Sequence, residues 1–251
     1  MTLSTALAAK FIVGGSRVNI EDYPYQVSII AYDYFICGGS IIDETHILTA
    51  AHCVSGPKPN KFTIRTGSSS WASGGQVVNV TALTIHPDFC VPVMLDNDIA
   101  IITLATNLTY GPGTAPIDLP SIENGGSSSR DLLAGADVVA SGWGQTGAGE
   151  EDAGEITPLM LRAVTANVIT QEQCAAAYKD YVIPIEDSML CTGVPGIGKG
   201  PCHGDSGGPL VADGVLVGVV SWALECDVQG RPIVYSSVGY FRDWIAQVVG
   251  I

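Results

Sequence analysis

Short apolar or alternating runs recur along the chain: Tyr25 to Ile30, Gln76 to Ile85, Ile99 to Leu104, Asp137 to Ala140 and Val215 to Ser221. Clusters of Gly, Ser, Pro and Asn separate them. That spacing predicts strands joined by turns, as in an all-β fold. The tail differs. Phe241, Trp244, Ile245 and Val248 fall at helical spacing between Tyr240 and Val249, which predicts a C-terminal helix packed on the second half. The polar stretch from Pro120 to Gly135 reads as an exposed connection between two halves, about 12–120 and 121–251. Residues 1–11 read as a residual signal or pro-segment, with Ala6-Leu7-Ala8 as a candidate signal-peptidase site.

Composition narrows the function. The 251 residues can bury a sizeable core. No run of eighteen apolar residues is present, so no membrane-spanning helix is expected. Acidic residues outnumber basic ones 25 to 11, for a net charge of −14. That balance disfavours nucleic acid or an anionic membrane as partner. Seven cysteines point to an oxidising compartment and a secreted protein. A zinc site is the competing reading, but CxxC pairs and CxxH clusters are absent, so no metal is expected. Asn79 and Asn107 each open a glycosylation sequon.

The chemistry concentrates at Gly204-Asp205-Ser206-Gly207-Gly208-Pro209-Leu210. Glycines around a serine let a tight turn present its hydroxyl and aim backbone N–H groups at one spot. A serine nucleophile with an oxyanion hole needs both features. The bland reading is a Gly-rich surface turn. A serine also needs a base and an orienting acid. Of four histidines, His52 sits in the small-residue run Thr49-Ala50-Ala51-His52-Cys53, and Asp98 leads into an apolar run. Asp98 has a structural alternative as a strand-start cap, and Asp96 competes with it.

These segments fall in the order His, Asp, Ser. With Ile12-Val13-Gly14-Gly15, Ser141-Gly142-Trp143-Gly144 and Ser221-Trp222, they resemble the chymotrypsin-fold, trypsin-like serine peptidases from Ile12 to the C-terminus. The resemblance implies two antiparallel six-stranded β-barrels packed together, with the active site between them. It implies a secreted endopeptidase, expected to be monomeric, acting on proteins or peptides and open to proteinaceous inhibitors, with no cofactor. A non-catalytic binding homologue is the alternative class. His52, Asp98 and Ser206 would form the triad, and the Gly204 and Ser206 amides the oxyanion hole. Disulfides Cys37–Cys53, Cys174–Cys191 and Cys202–Cys226 are implied. Cys90 is left as an unpaired thiol, with burial or an intermolecular partner as its alternatives.

The resemblance also implies a zymogen. Cleavage before Ile12 would free an amine that pairs with Asp205. The cut must follow Phe11 rather than Lys10, which departs from the usual basic activation site. Alignment puts Gly200 at the base of the primary pocket, where trypsin-like members place an acid. Ala223 and Ile233 align with its walls, and Ser221, Trp222 and His203 with its sides and rim. These residues imply an elastase-like preference for small or medium apolar residues before the scissile bond. Aromatic or Leu specificity is the alternative if Ile233 points away. Calcium, bound by some members through loop acids, is not expected, because residues 67–76 hold no Asp or Glu.

Overall fold

The computed structural model describes residues 15–121, 134–145, 159–193, 200–224 and 231–251. Strand β1 (Ser16–Arg17) comes first. It is followed by β2 (Gln26–Ala31), β3 (Tyr34–Ile41), β4 (His46–Thr49), β5 (Phe62–Thr66), β6 (Gln76–Ile85) and β7 (Ala100–Leu104). The last six close into a barrel in the order β2-β3-β4-β7-β6-β5. The second half supplies β8 (Asp137–Gly142), β9 (Arg162–Ile169), β10 (Met189–Gly193), β11 (Pro209–Ala212), β12 (Val215–Trp222) and β13 (Ile233–Ser237). These six also close, because β8 pairs with both β11 and β9, while β1 adds to the outer side of β9. The architecture is the expected pair of six-stranded antiparallel barrels.

Alternation explains the first barrel. Phe62, Ile64, Val78 and Val80 point inward and are buried, with more exposed neighbours between them. Strand β7 is apolar on both faces, because Ala100, Ile101 and Ile102 are all buried. The second barrel has its own core, including Val138, Val164, Leu190, Leu210, Val220 and Tyr235.

Three short α-helices and two 3₁₀ turns (Ile20–Asp22 and Pro59–Lys61) complete the described residues. Helix α1 (Ala51–Val54) carries His52. Helix α2 (Gln171–Tyr178) was not foreshadowed by any apolar stripe. It starts on a capping box, in which Thr170 and Gln173 satisfy each other's backbone amides. Helix α3 (Arg242–Val249) ends at Gly250 in the left-handed region, as a helix stop commonly does.

Helix α3 packs on more than the second half. Phe241, at its N-cap, and Ile245 join a core cluster that holds first-barrel residues together with Val211, Leu216, Val219 and Val238 of the second half, and His86 of the first barrel sits 5.2 and 5.1 Å from the rings of Phe241 and Trp244. The Arg242 side chain donates to the Pro120 carbonyl. The helix therefore ties the chain's end back to the first half. Periodicity reports that a helix has an apolar face but not which surface receives it.

Cys37–Cys53 and Cys174–Cys191 are bonded. Cys202 is also in a disulfide; its expected partner Cys226 lies outside the described residues, as do Ile12, residues 1–11 and most of the connection after Pro120. Cys90 is free and exposed rather than buried. Asn79 and Asn107 are both exposed. Among the described residues, no helix is long and apolar enough to cross a membrane.

Candidate active site

His52 reaches the cleft because the chain leaves buried strand β4 through Ala50 and Ala51, whose small side chains are fully buried. The Cys37–Cys53 bridge then fastens α1 to β3. Asp98 lies just before β7 and is fully buried. Its Oδ1 accepts the His52 backbone N–H at 2.9 Å, and its Oδ2 meets His52 Nδ1 at 2.7 Å. An ionised carboxylate only accepts hydrogen bonds, so this contact puts a proton on Nδ1 and leaves Nε2 as the basic nitrogen.

The second barrel completes the seat of Asp98. Ser221 Oγ donates to Asp98 Oδ2 at 2.6 Å, and Ser236 Oγ donates to its backbone carbonyl at 2.6 Å. Ser188 Oγ donates to Asp96 Oδ1. Asp96 also accepts the Asn97 amide and does not touch His52. The three hydroxyls therefore pin the acidic segment of one barrel to the other. Sequence reasoning placed Ser221 only in the substrate pocket and missed Ser188 and Ser236, since a single serine in a turn or a strand carries no local signal.

Ser206 lines the same cavity as His52. Its carbonyl accepts the Gly38 N–H from the first barrel at 2.8 Å. That approach needs bare backbone. A Cβ on Gly207 would lie 2.6 Å from the Gly38 carbonyl and 2.2 Å from Thr49 Oγ1. Among the described residues, neither the Gly204 nor the Ser206 amide has a hydrogen-bond partner. Both donors are thus unpaired within the described residues.

Asp205 points the other way, into the protein. Its oxygens accept the Gly144 amide at 2.7 Å and the Cys202 amide at 2.9 Å. A Cβ on Gly142 or Gly144 would lie 2.1 or 2.2 Å from those oxygens, so the Gly-Trp-Gly segment is the slot that admits the carboxylate. Burial pushes the carboxyl up to about 6, against the opposing pull of the two amides.

A second cavity, of about 170 Å³, opens on the other side of Ser206 and is lined by His203, Ser221, Trp222, Ala223 and Ile233 among others. Gly200 sits against Ile233, where an added Cβ would come 3.0 Å from Ile233 Cγ1. Ile233 therefore faces this cavity and does not point away. Among the described lining residues there is no Asp or Glu. Cys37, His52 and Cys53 are grouped closely enough to suggest metal ligands. The two sulfurs are bonded to each other, so no thiolate is free to ligate.

Comparison with known proteins follows the same lines. The family described as Trypsin matches residues 12–245. Trypsin delta of Drosophila erecta is 38% identical over 236 residues, covering 94% of this chain and 87% of its own. Trypsin alpha of Drosophila melanogaster is 37% identical over 234 residues, covering 93% and 86%. Trypsin 5G1 of Aedes aegypti is 38% identical over 242 residues, covering 96% and 85%.

Proposed function

Because this chain belongs to the trypsin family and is a serine endopeptidase, we propose that Ser206 is its nucleophile, His52 its general base and Asp98 the acid that orients His52. Ser206 Oγ attacks the peptide carbonyl while His52 Nε2 takes its proton. Asp98 holds the ring and stabilises its charged form. The carbonyl oxygen moves between the Gly204 and Ser206 amides, each donor being worth roughly 10²–10³ in turnover. His52 then gives the proton to the leaving amine, and water releases the acyl group. The observation that carries this reading is the 2.7 Å bond from His52 to the fully buried Asp98, beside the cavity that His52 shares with Ser206. A fluorophosphonate probe tests it. Labelling at Ser206 after cleavage before Ile12 is the expected result, and an unlabelled Ser206 in the cleaved protein removes the assignment.

The uncleaved chain is a zymogen on this reading. Asp205 is a buried carboxylate with two amide partners and no cation bonded to it among the described residues. The ammonium of Ile12, freed by cleavage, supplies the missing charge and orders the loops around the oxyanion donors. The mature enzyme is secreted and works as a monomer.

Its preference is elastase-like, for small or medium apolar side chains before the scissile bond. Gly200 offers no carboxylate for a buried Lys or Arg, and Ile233 and Ala223 narrow the cavity. One observation favours a second reading, Leu or aromatic specificity. A cavity of about 170 Å³ is similar in size to an engineered one that admits benzene. Cleavage profiling of the activated enzyme on a mixed peptide library separates the two. Ala or Val before the cut supports the first, and Phe or Tyr the second.

A further inference from the structure

Ser69, in the loop after β5, joins three segments of the chain. Its carbonyl accepts the Trp143 indole N–H at 2.9 Å and the Leu161 backbone N–H at 2.7 Å. Its Oγ accepts the Ile20 backbone N–H at 2.9 Å. Ser70 pairs with Met160 in an antiparallel bridge, and the Trp71 N–H reaches the Leu159 carbonyl at 3.4 Å. The loop therefore runs as a short ribbon beside the chain that enters β9. Three rings reinforce the contact. Trp71 stacks on Phe35 of β3, with centroids 5.6 Å apart, and Phe35 meets Trp143 edge to face at 6.1 Å. Such pairs stabilise beyond the area they bury.

Trp143 sits between the two glycines that wall the Asp205 slot. That slot has no slack, because a Cβ on Gly142 or Gly144 would lie 2.1 or 2.2 Å from the carboxylate oxygens. Planar peptide groups link Trp143 directly to both glycines, so moving the indole moves the walls. The same junction holds the segment that follows Ile12. Ile20 is bonded to Ser69, and the Val18 N–H donates to the Leu161 carbonyl at 3.0 Å. One loop of the first barrel thus fixes both the slot and the root of the segment that would deliver the amine. Residues 68–75 carry no charge, and Trp71 is the one large side chain among them. Hydroxyls hold the rest of the loop: Ser68 Oγ donates to the Ser73 carbonyl at 2.7 Å and accepts the Ser70 N–H at 3.0 Å.

We infer that Trp71 is a positioning residue for activation. Through Phe35 and Trp143 it keeps the Asp205 slot in the shape that accepts the Ile12 ammonium, so the first barrel takes part in a switch whose acid lies in the second. The inference rests on the reading that Ile12 pairs with Asp205 after cleavage.

The test measures how well that amine is sheltered. Protein cleaved before Ile12, in a Ser206→Ala background, is treated with cyanate, which modifies free amines and spares a buried ammonium. Mass spectrometry of the N-terminal peptide gives the rate, which follows the fraction of molecules with the pairing open. Trp71→Ala should raise that rate about tenfold, the scale of a lost aromatic pair. Trp71→Phe keeps a ring on Phe35 and should stay within about twofold of native. Trp143→Phe keeps its ring but loses the donor to Ser69, and should raise the rate about fivefold. Urea unfolding of cleaved and uncleaved protein separates positioning from a merely structural role. Under the inference Trp71→Ala destabilises the cleaved form more than the uncleaved one. Equal destabilisation of the two forms, with Ile12 as sheltered as in the native protein, overturns the inference alone. If Trp71→Ala fails to fold, Trp143→Phe carries the same decision. An Ile12 amine that is fully reactive in the native cleaved protein overturns the activation reading together with the inference.

Discussion

Asp205 offers the sharpest test of the proposed activation switch. In the uncleaved chain its carboxyl is buried, and its pKa is pushed from the ordinary 3.8 to about 6. The folded state therefore holds this proton more tightly than the unfolded state does. Asp205 leaves stability unharmed below pH 3.8. The ionised form then costs progressively more as pH rises, up to about 3 kcal/mol above pH 6, at about 1.4 kcal/mol per pH unit. Urea unfolding between pH 4 and 8 measures this in uncleaved protein with disulfides intact, in a Ser206→Ala background that blocks self-digestion. The comparison is with Asp205→Asn. An amide in that slot loses one acceptor at every pH, which moves the intercept of the curve but not its slope. Groups such as Asp43, where hydrogen bonds from Thr45 and His46 outweigh burial and lower the pKa, cancel in the difference. The native-minus-Asn difference should fall by roughly 2.4 kcal/mol between pH 4 and 7, because about 0.5 kcal/mol of the total is already lost at pH 4, and cleavage before Ile12 should abolish the fall. A flat difference curve in the uncleaved protein would refute the reasoning.

Ser206→Ala should lower turnover of the activated enzyme by about 10⁴–10⁶-fold while its thermal unfolding stays unchanged. Ser221→Ala removes the hydroxyl 2.6 Å from the buried Asp98. A lost bond to a charged group, about 1.5–3 kcal/mol, predicts a drop of roughly ten- to a hundredfold in kcat/KM. Ile233→Gly should shift kcat/KM towards Phe and Tyr esters relative to Ala esters by about tenfold; an unchanged ratio would mean that Ile233 does not limit the pocket. Replacing both Cys174 and Cys191 with Ala opens a loop with a sequence separation of 17. It should lower stability in urea by about 3 kcal/mol.

Much of the architecture was legible along the chain, because barrel strands announce themselves locally. The Gln76–Ile85 run is strand β6 residue for residue, and the apolar run before Leu104 is β7, starting one residue later than the pattern suggested. Helix α2 was not legible, because its apolar positions form no stripe and its stability lies in a cap and in packing. The destination of α3 was also hidden, since periodicity describes one face of a contact and not the other.

By itself the sequence determined the chemistry on offer: a serine among glycines, a histidine in a small-residue turn, an acid at the start of an apolar strand, and no acid at position 200. Those are identities, and neighbours in the chain suffice to make them conspicuous. Only the tertiary structure decided how they are held. Ser221 and Ser236 from two strands, and Ser188 from the turn before β10, come together to seat Asp96 and Asp98. Gly142 and Gly144 clear a slot for a carboxylate sixty residues away, and Ile233 turns towards Gly200. Tyr32 and Tyr34 come to lie beside Ser206. The seat of Asp96 and Asp98 and the approach of Tyr32 and Tyr34 to Ser206 depend on two closed barrels meeting in one relative position, and the other two on the second barrel closing on itself. No local pattern specifies that position, because its stabilising contacts join residues far apart in the chain.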